Sequence, residues 1–442
     1  MSSEYRKDIV ATFLNQVFKV FAGPVLLVFI PLYLNPIEQG YWYTFMSIAA
    51  LAIFADLGFS NIVLQFSAHE FAYLKFTEVG SIEGYQEHLN KLASFFRFSV
   101  MWLLKVTLVV FPLIIIGGYI FLDSKHENVV WSGPWLIYSL SSAIVFMNSI
   151  ILSFFEGCNS VKVIQLIRLK ITAISTTVNL FCLYMGLGLY SISASLFTSA
   201  LVGLFLIYSN YKKTILQLLE ISRKDYYDWT KQFFSLIWRY AISWCSGYFI
   251  FQLFVPIAFK FHGPEFAGKI GISIAMWTAG FGIASSWITA ITPRINMYIS
   301  EKKWSELDRL FNTNLKKSTM TMLAGGTCFM LFFYLFENHL TLFKRILPIE
   351  SMFILFICWG CQLYINNWAI YLRGHKKEPL MLVSVFSAVY VCISTLICGY
   401  LLPAPYIFMG FLSSYLYGIP ITMYIVRRER RLHSILGSVM NE

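Results

Sequence analysis

The chain has 442 residues, 57% of them hydrophobic and only 13% charged, with a formal net charge of +11 at pH 7. Soluble globular chains carry about 25% charged residues, so water is not the main solvent for this one. Its apolar runs have the length of about 20 residues that an α-helix needs to cross about 30 Å of hydrocarbon, and they lack the short alternating strands of a membrane barrel.

Taken in chain order, hydropathy predicts about twelve spans, at 10–33, 40–66, 93–121, 131–155, 166–189, 191–211, 234–260, 268–292, 316–336, 350–371, 380–401 and 403–426. The first follows Glu4, Arg6, Lys7 and Asp8 like a secretory signal, but it is too long and has no small-residue cleavage site, so it reads as a retained helix. The longest polar stretches are 67–92 and 212–233, with pieces such as Ile215 to Ile221 amphipathic enough to lie along the interface. The fold class expected is therefore an all-α integral membrane protein, divided into six-helix bundles at 1–222 and 223–442.

Two echoes relate the halves. Ile30-Pro31-Leu32-Tyr33 with Glu38 and Gly40 recurs as Val255-Pro256-Ile257-Ala258 with Glu265 and Gly268, and Phe155-Glu156-Gly157 recurs as Leu372-Arg373-Gly374. An even number of helices per half makes such repeats parallel, a construction common in transporters, with the substrate pathway between the repeats. Pro24, Pro31, Pro256 and Pro420 interrupt helical runs, free backbone carbonyls and read as hinges or as static kinks.

Basic residues resist translocation, so their placement orients the chain. With a cytoplasmic amino terminus, 24 Lys and Arg fall on the cytoplasmic side and 5 on the other, which places both termini in the cytoplasm. The positive charge is scattered over many loops rather than gathered in an aromatic-interleaved stripe, which argues against nucleic acid as a partner.

Five basic residues remain within or just inside spans: Lys19, Arg97, Lys105, Arg239 and Arg294. Ionisable groups in hydrocarbon are expensive and mark function unless they snorkel to an interface. Arg97, Arg239 and Arg294 lie near predicted cytoplasmic ends and can snorkel. Lys19 and Lys105 lie roughly 14 and 18 Å inside their helices at 1.5 Å per residue, and call for a polar interior or a partner. Asp56, in Phe54-Ala55-Asp56-Leu57-Gly58, is the carboxylate placed well inside a span, either paired with Lys19 or an Arg or serving as a coupling site. Asn15, Gln16, Gln252 and Asn366-Asn367 add amides suited to sugar hydroxyls or to packing between helices. The sign of this interior set favours an anionic head group, since Arg offers a forked donor to phosphate oxygens, over a cationic drug, which calls for acidic residues.

No cofactor is expected, and no metal: none of the seven histidines lies mid-span and no cluster has ligand spacing. No GxSxG, P-loop or dinucleotide motif suggests an enzyme. Cys358-Trp359-Gly360-Cys361 has redox spacing but sits mid-span without a preceding strand, so packing explains it.

Gly40-Tyr41-Trp42-Tyr43, Ala55-Asp56-Leu57-Gly58-Phe59-Ser60, Phe155-Glu156-Gly157 and Arg373-Gly374-His375-Lys376-Lys377, in a chain of 442 residues, resemble the Wzx-type polysaccharide flippases of the multidrug/oligosaccharidyl-lipid/polysaccharide exporter superfamily. The resemblance implies two pseudo-symmetric MATE-like six-helix bundles in a V with a central cationic cavity, set in a bacterial inner membrane. It further implies an undecaprenyl-diphosphate-linked oligosaccharide carried from the cytoplasmic to the periplasmic leaflet by alternating access, coupled to H+ or Na+. A polysaccharide polymerase and chain-length proteins are the partners it implies. Three other readings stay open: a drug or metabolite antiporter of the same fold, an integral-membrane polymerase, and a scaffold of a polysaccharide assembly complex.

Overall fold

A computed structural model describes residues 3–78, 80–125, 127–223, 227, 229–230, 241–242, 245–337, 339–375 and 379–439. The chain forms two compact units, Met1–Cys245 and Ser246–Glu442, whereas the hydropathy pattern sets the division at 222/223.

The first unit opens with α1 (Ser3–Tyr33), which runs through Pro24 and Pro31 without a break. Asn35 then caps α2 (Pro36–Ala49): its Oδ1 accepts from Glu38 N at 2.8 Å while Glu38 Oε2 accepts from Asn35 N at 3.0 Å, with Pro36 in the first turn. This reciprocal pairing satisfies two of the otherwise orphaned amides of a helix start. A 3-10 turn (Ala50–Ala52) and α3 (Ile53–Asp56) carry the helix on to Leu57 and Gly58, which take left-handed conformations with φ of 47° and 79°. The chain turns by 42° there and continues as α4 (Phe59–Phe71), so the second predicted span is a broken one.

Residues 67–92 hold a feature that hydropathy does not reveal, an antiparallel hairpin of β1 (Leu74–Phe76) and β2 (Ile82–Gly84) with Lys75 opposite Glu83. Gly84 is required at its end, because a Cβ there would lie 2.5 Å from the Tyr73 carbonyl. The unit continues with α5 (Gln86–Asp123), α6 (Ser132–Gly157), α7 (Val161–Tyr184) and α8 (Tyr190–Ile221). At 1.5 Å per residue the 38 residues of α5 extend about 57 Å and the 32 of α8 about 48 Å, well beyond the hydrocarbon. Residues 215–221 therefore prolong the sixth span instead of forming a separate interfacial helix. The hairpin docks on this overhang: Ile82 N donates to Gln217 Oε1 and Gln217 Nε2 donates to Ile82 O, both at 2.8 Å, and Thr214 Oγ1 donates to Gly80 O at 2.7 Å.

In the second unit, α9 (Phe254–His262) follows a break at Gln252–Leu253, then come α10 (Pro264–Thr289), α11 (Thr292–Ser300), α12 (Trp304–Phe336), α13 (Ile349–Arg373), α14 (Met381–Leu401) and α15 (Met409–Val439). Pro256 thus stands in the first turn of a new helix, where its missing N–H costs nothing, and not inside a span as Pro31 does. Much of the seventh predicted span, 234–260, lies outside the described residues.

Each unit repeats the other's internal pairings. In the first, α1 packs on α7, α6 on α8, α7 on α8 and α4 on α6; in the second, α9 packs on α14, α13 on α15, α14 on α15 and α10 on α13. The glycines of the second sequence echo are equivalent in packing too. A Cβ on Gly157 would collide with Ser67 and Leu64 of α4, and one on Gly374 would lie 2.7 Å from Ile299 of α11, in each case the segment beyond the break of a Pro-initiated helix. Among the described residues ten helices have the length and apolarity of a membrane span, and the bent pair Pro36–Asp56 with Phe59–Phe71 makes eleven. Side chains such as Leu108, Leu382 and Leu416, 74%, 75% and 79% exposed, belong to a surface solvated by lipid. The chain is a multi-pass membrane protein.

Candidate functional site

The polar residues of the first unit converge where α1, the end of α6 and the start of α7 meet. Asn15, 1% exposed, donates from Nδ2 to Gln165 Oε1 at 2.8 Å, and Gln165 Nε2 donates to Glu156 Oε1 at 2.9 Å. The other oxygen of that carboxylate, Oε2, takes an ion pair from Arg168 Nη2 at 2.7 Å. Lys19, one turn beyond Asn15 on α1, is exposed and lies in the electrostatic field of both Arg168 and Glu156 without joining their pair. The hydrogen bond and the ion pair occupy both carboxylate oxygens, and the charges of Lys19, Arg168 and Glu156 leave a surplus of one positive charge where α1, α6 and α7 meet. Asn15 Oδ1 is buried and accepts from nothing among the described residues.

Sequence reasoning found Asn15 and Lys19 but missed Glu156, Gln165 and Arg168. For Glu156 and Gln165 the reason is one of boundaries: hydropathy ends the fourth span at 155 and starts the fifth at 166, whereas the helices run to Gly157 and from Val161. Arg168 falls inside the predicted fifth span but counts there among the cytoplasmic charges near its end. The motif Phe155-Glu156-Gly157 was the available signal, and it read as a repeat echo and a family motif, not as part of a site.

The other candidates of this unit lie elsewhere. Asp56 caps the break: its Oδ1 accepts from Ser60 N and its Oδ2 from Ser60 Oγ, both at 3.0 Å, with a further bond from the Gly58 amide. Among the described residues it has no ion pair with Lys19 or any Arg, contrary to one of the two expectations. Arg97 donates from Nη1 to Ser222 O at 3.0 Å, so it terminates α8, where a positive charge also complements the helix dipole. Lys105, halfway along α5, is exposed on a face with Met101 and Leu108 and has no hydrogen bond or ion pair among the described residues. Arg239 lies outside the described residues.

In the second unit Arg294 is exposed in the first turn of α11, and Gln252 is exposed at the break before α9. Asn366 is half-buried, while its neighbour Asn367 is fully buried and donates to Ser318 Oγ at 2.9 Å, which passes its own proton to Ala284 O at 2.7 Å. The ionic cluster of this unit is balanced: Arg430 Nη2 pairs with Asp308 Oδ1 at 3.0 Å, Tyr371 OH donates to the same oxygen at 3.0 Å, and the guanidinium lies 4.8 Å from the Trp368 ring centre. It ties α12, α13 and α15 together and leaves no surplus charge, unlike the cluster around Lys19.

Neither a protein-family model nor a curated protein matches the sequence. Solved structures do match. A multidrug resistance MATE family transporter of the MOP superfamily, in an inward-facing conformation, aligns with a TM-score of 0.65 at 13% identity over 97% of this chain and 98% of that one. A MATE family transporter of the same superfamily in an outward-facing conformation aligns with a TM-score of 0.57 at 12% identity, over 98% and 97%. A MOP superfamily transporter from Pyrococcus furiosus, in which a reversed polarity of the binding pocket suggests a different function, aligns with a TM-score of 0.58 at 13% identity, again over 98% and 97%. Over nearly its whole length, then, the chain has the fold of the MATE family transporters of the MOP superfamily.

Proposed function

We propose that this protein is a flippase that carries an undecaprenyl-diphosphate-linked oligosaccharide, such as an O-antigen repeat unit, from the cytoplasmic to the periplasmic leaflet of a bacterial inner membrane. It works by alternating access, with both termini cytoplasmic, driven by a proton or sodium gradient, and supplies a polymerase and its chain-length partners. The observation that carries the reading is the surplus positive charge of Lys19 and Arg168 over Glu156, held by three spans inside a MATE-type fold. Two cations within electrostatic reach of each other suit a diphosphate, and ionisable groups within spans mark function unless they reach an interface. A cationic drug would meet repulsion there, because the carboxylate of the cluster is already paired with Arg168. The reversed pocket polarity in the Pyrococcus furiosus relative indicates that transporters of this fold differ in the charge they accept.

The test is a strain lacking this protein and any redundant flippase. The lipid-linked intermediate should accumulate in the cytoplasmic leaflet, and K19A and R168A should fail to restore surface polysaccharide while inserting normally. Arrival of the intermediate in the periplasmic leaflet at the normal rate without the protein would sink the proposal.

A further inference from the structure

We infer that Glu156 is a built-in stand-in for the substrate's phosphate, which the substrate must displace from Arg168 to bind. This inference rests on the proposed reading of the cationic cluster as a diphosphate site. Glu156 Oε2 holds Arg168 Nη2 at 2.7 Å, occupying the donor that a phosphate oxygen needs. Its other oxygen is secured by Gln165, which Asn15 in turn fixes from α1, so the carboxylate is seated on purpose-built partners. Charge reaches Glu156 from Arg168 on α7 and from Lys19 on α1. The remaining helices against this end of α6 bring Tyr211 of α8 onto the Phe155 ring at 3.9 Å, Phe96 of α5 near Phe154 at 4.9 Å, and Ser67 of α4 against Gly157.

Counting charge gives the consequence. Lys19 and Arg168 together match the two negative charges of a diphosphate diester. With Glu156 ionised and in place, the site offers only one positive charge, and the incoming phosphate meets a like charge at the guanidinium. Binding therefore moves Glu156 off Arg168, which makes affinity depend on that carboxylate. The ion pair also spares the half-buried Arg168 an unpaired charge among the packed helices, a state that burial disfavours.

The test uses the full-length protein in detergent and, as probe, a ten-carbon prenyl diphosphate esterified to N-acetylglucosamine, whose two acidic groups stay ionised between pH 5 and 8. The variant E156Q keeps an oxygen for Gln165 but removes the charge. It should bind the probe about tenfold more tightly than wild type at pH 7.5, as expected for relief of about 1.4 kcal/mol of competition. Binding by E156Q no tighter than wild type overturns the inference. Should E156Q fail to fold, binding by E156A no tighter than wild type overturns it. In both cases weakened binding by K19A and R168A leaves the diphosphate site standing, whereas unchanged binding by those two variants removes the site itself.

Discussion

Asp56 shows how a residue's chemistry and its job come apart. A carboxylate inside a span reads from sequence as an ion pair or a coupling group, and the structure uses it to cap the helix that restarts after the left-handed pair Leu57–Gly58. Removing an N-cap acceptor costs about 1 kcal/mol, so D56A should unfold at lower temperature in detergent, while D56N, which keeps an acceptor oxygen, should stay close to wild type. If D56N falls as far as D56A, it is the charge that holds the bend. Arg97 is a similar case, since its contact with Ser222 O gives it structural work at the end of α8 that a snorkelling arginine would not have. Lys105 has no such contact among the described residues and keeps its claim as a residue for ligand.

At the scale of elements, hydropathy places the middle of a span well and its ends poorly, because the ends are decided by capping and docking that apolarity does not record. The overhang of α8 and the hairpin upon it illustrate this. Strands of three residues are too short to show alternation, and they persist because one glutamine side chain, Gln217, serves Ile82 as both donor and acceptor in the manner of a neighbouring strand. Each neutral hydrogen bond contributes about 1 kcal/mol net, so Q217A should loosen the hairpin by about 2 kcal/mol. Amide hydrogen exchange should then quicken at residues 74–84 by an order of magnitude or more and stay unchanged in the middle of α6. Unaltered exchange in the hairpin would show that Thr214 alone suffices to hold it. The same limits on reading helix ends hid Glu156 and Gln165, two residues that lie in helices and not in the loop between them.

On the scale of the whole molecule, the two units share an internal pairing pattern although only a few residues echo between them. What survives in sequence is what geometry forbids changing, such as the glycines at 157 and 374 against the segments beyond each break. The proposed orientation rests on the basic residues, 24 of which share one side in the hydropathy assignment. A carboxy-terminal green fluorescent protein should therefore fluoresce and an alkaline phosphatase fusion at the same site should be inactive. The reverse outcome would invert the proposed direction of transport.

The sequence by itself determined the solvent, the class of fold, the number of spans to within one among the described residues, and the net positive charge. These are sums along the chain, and hydrophobicity and charge add without knowledge of neighbours. Only the tertiary structure decided which of those charges act together. Asn15 and Gln165 are 150 residues apart, and Lys19 comes within the electrostatic field of Glu156 and Arg168 through the packing of α1 on α7. A pairing between helices is set by which faces meet, and no periodicity within one helix contains it.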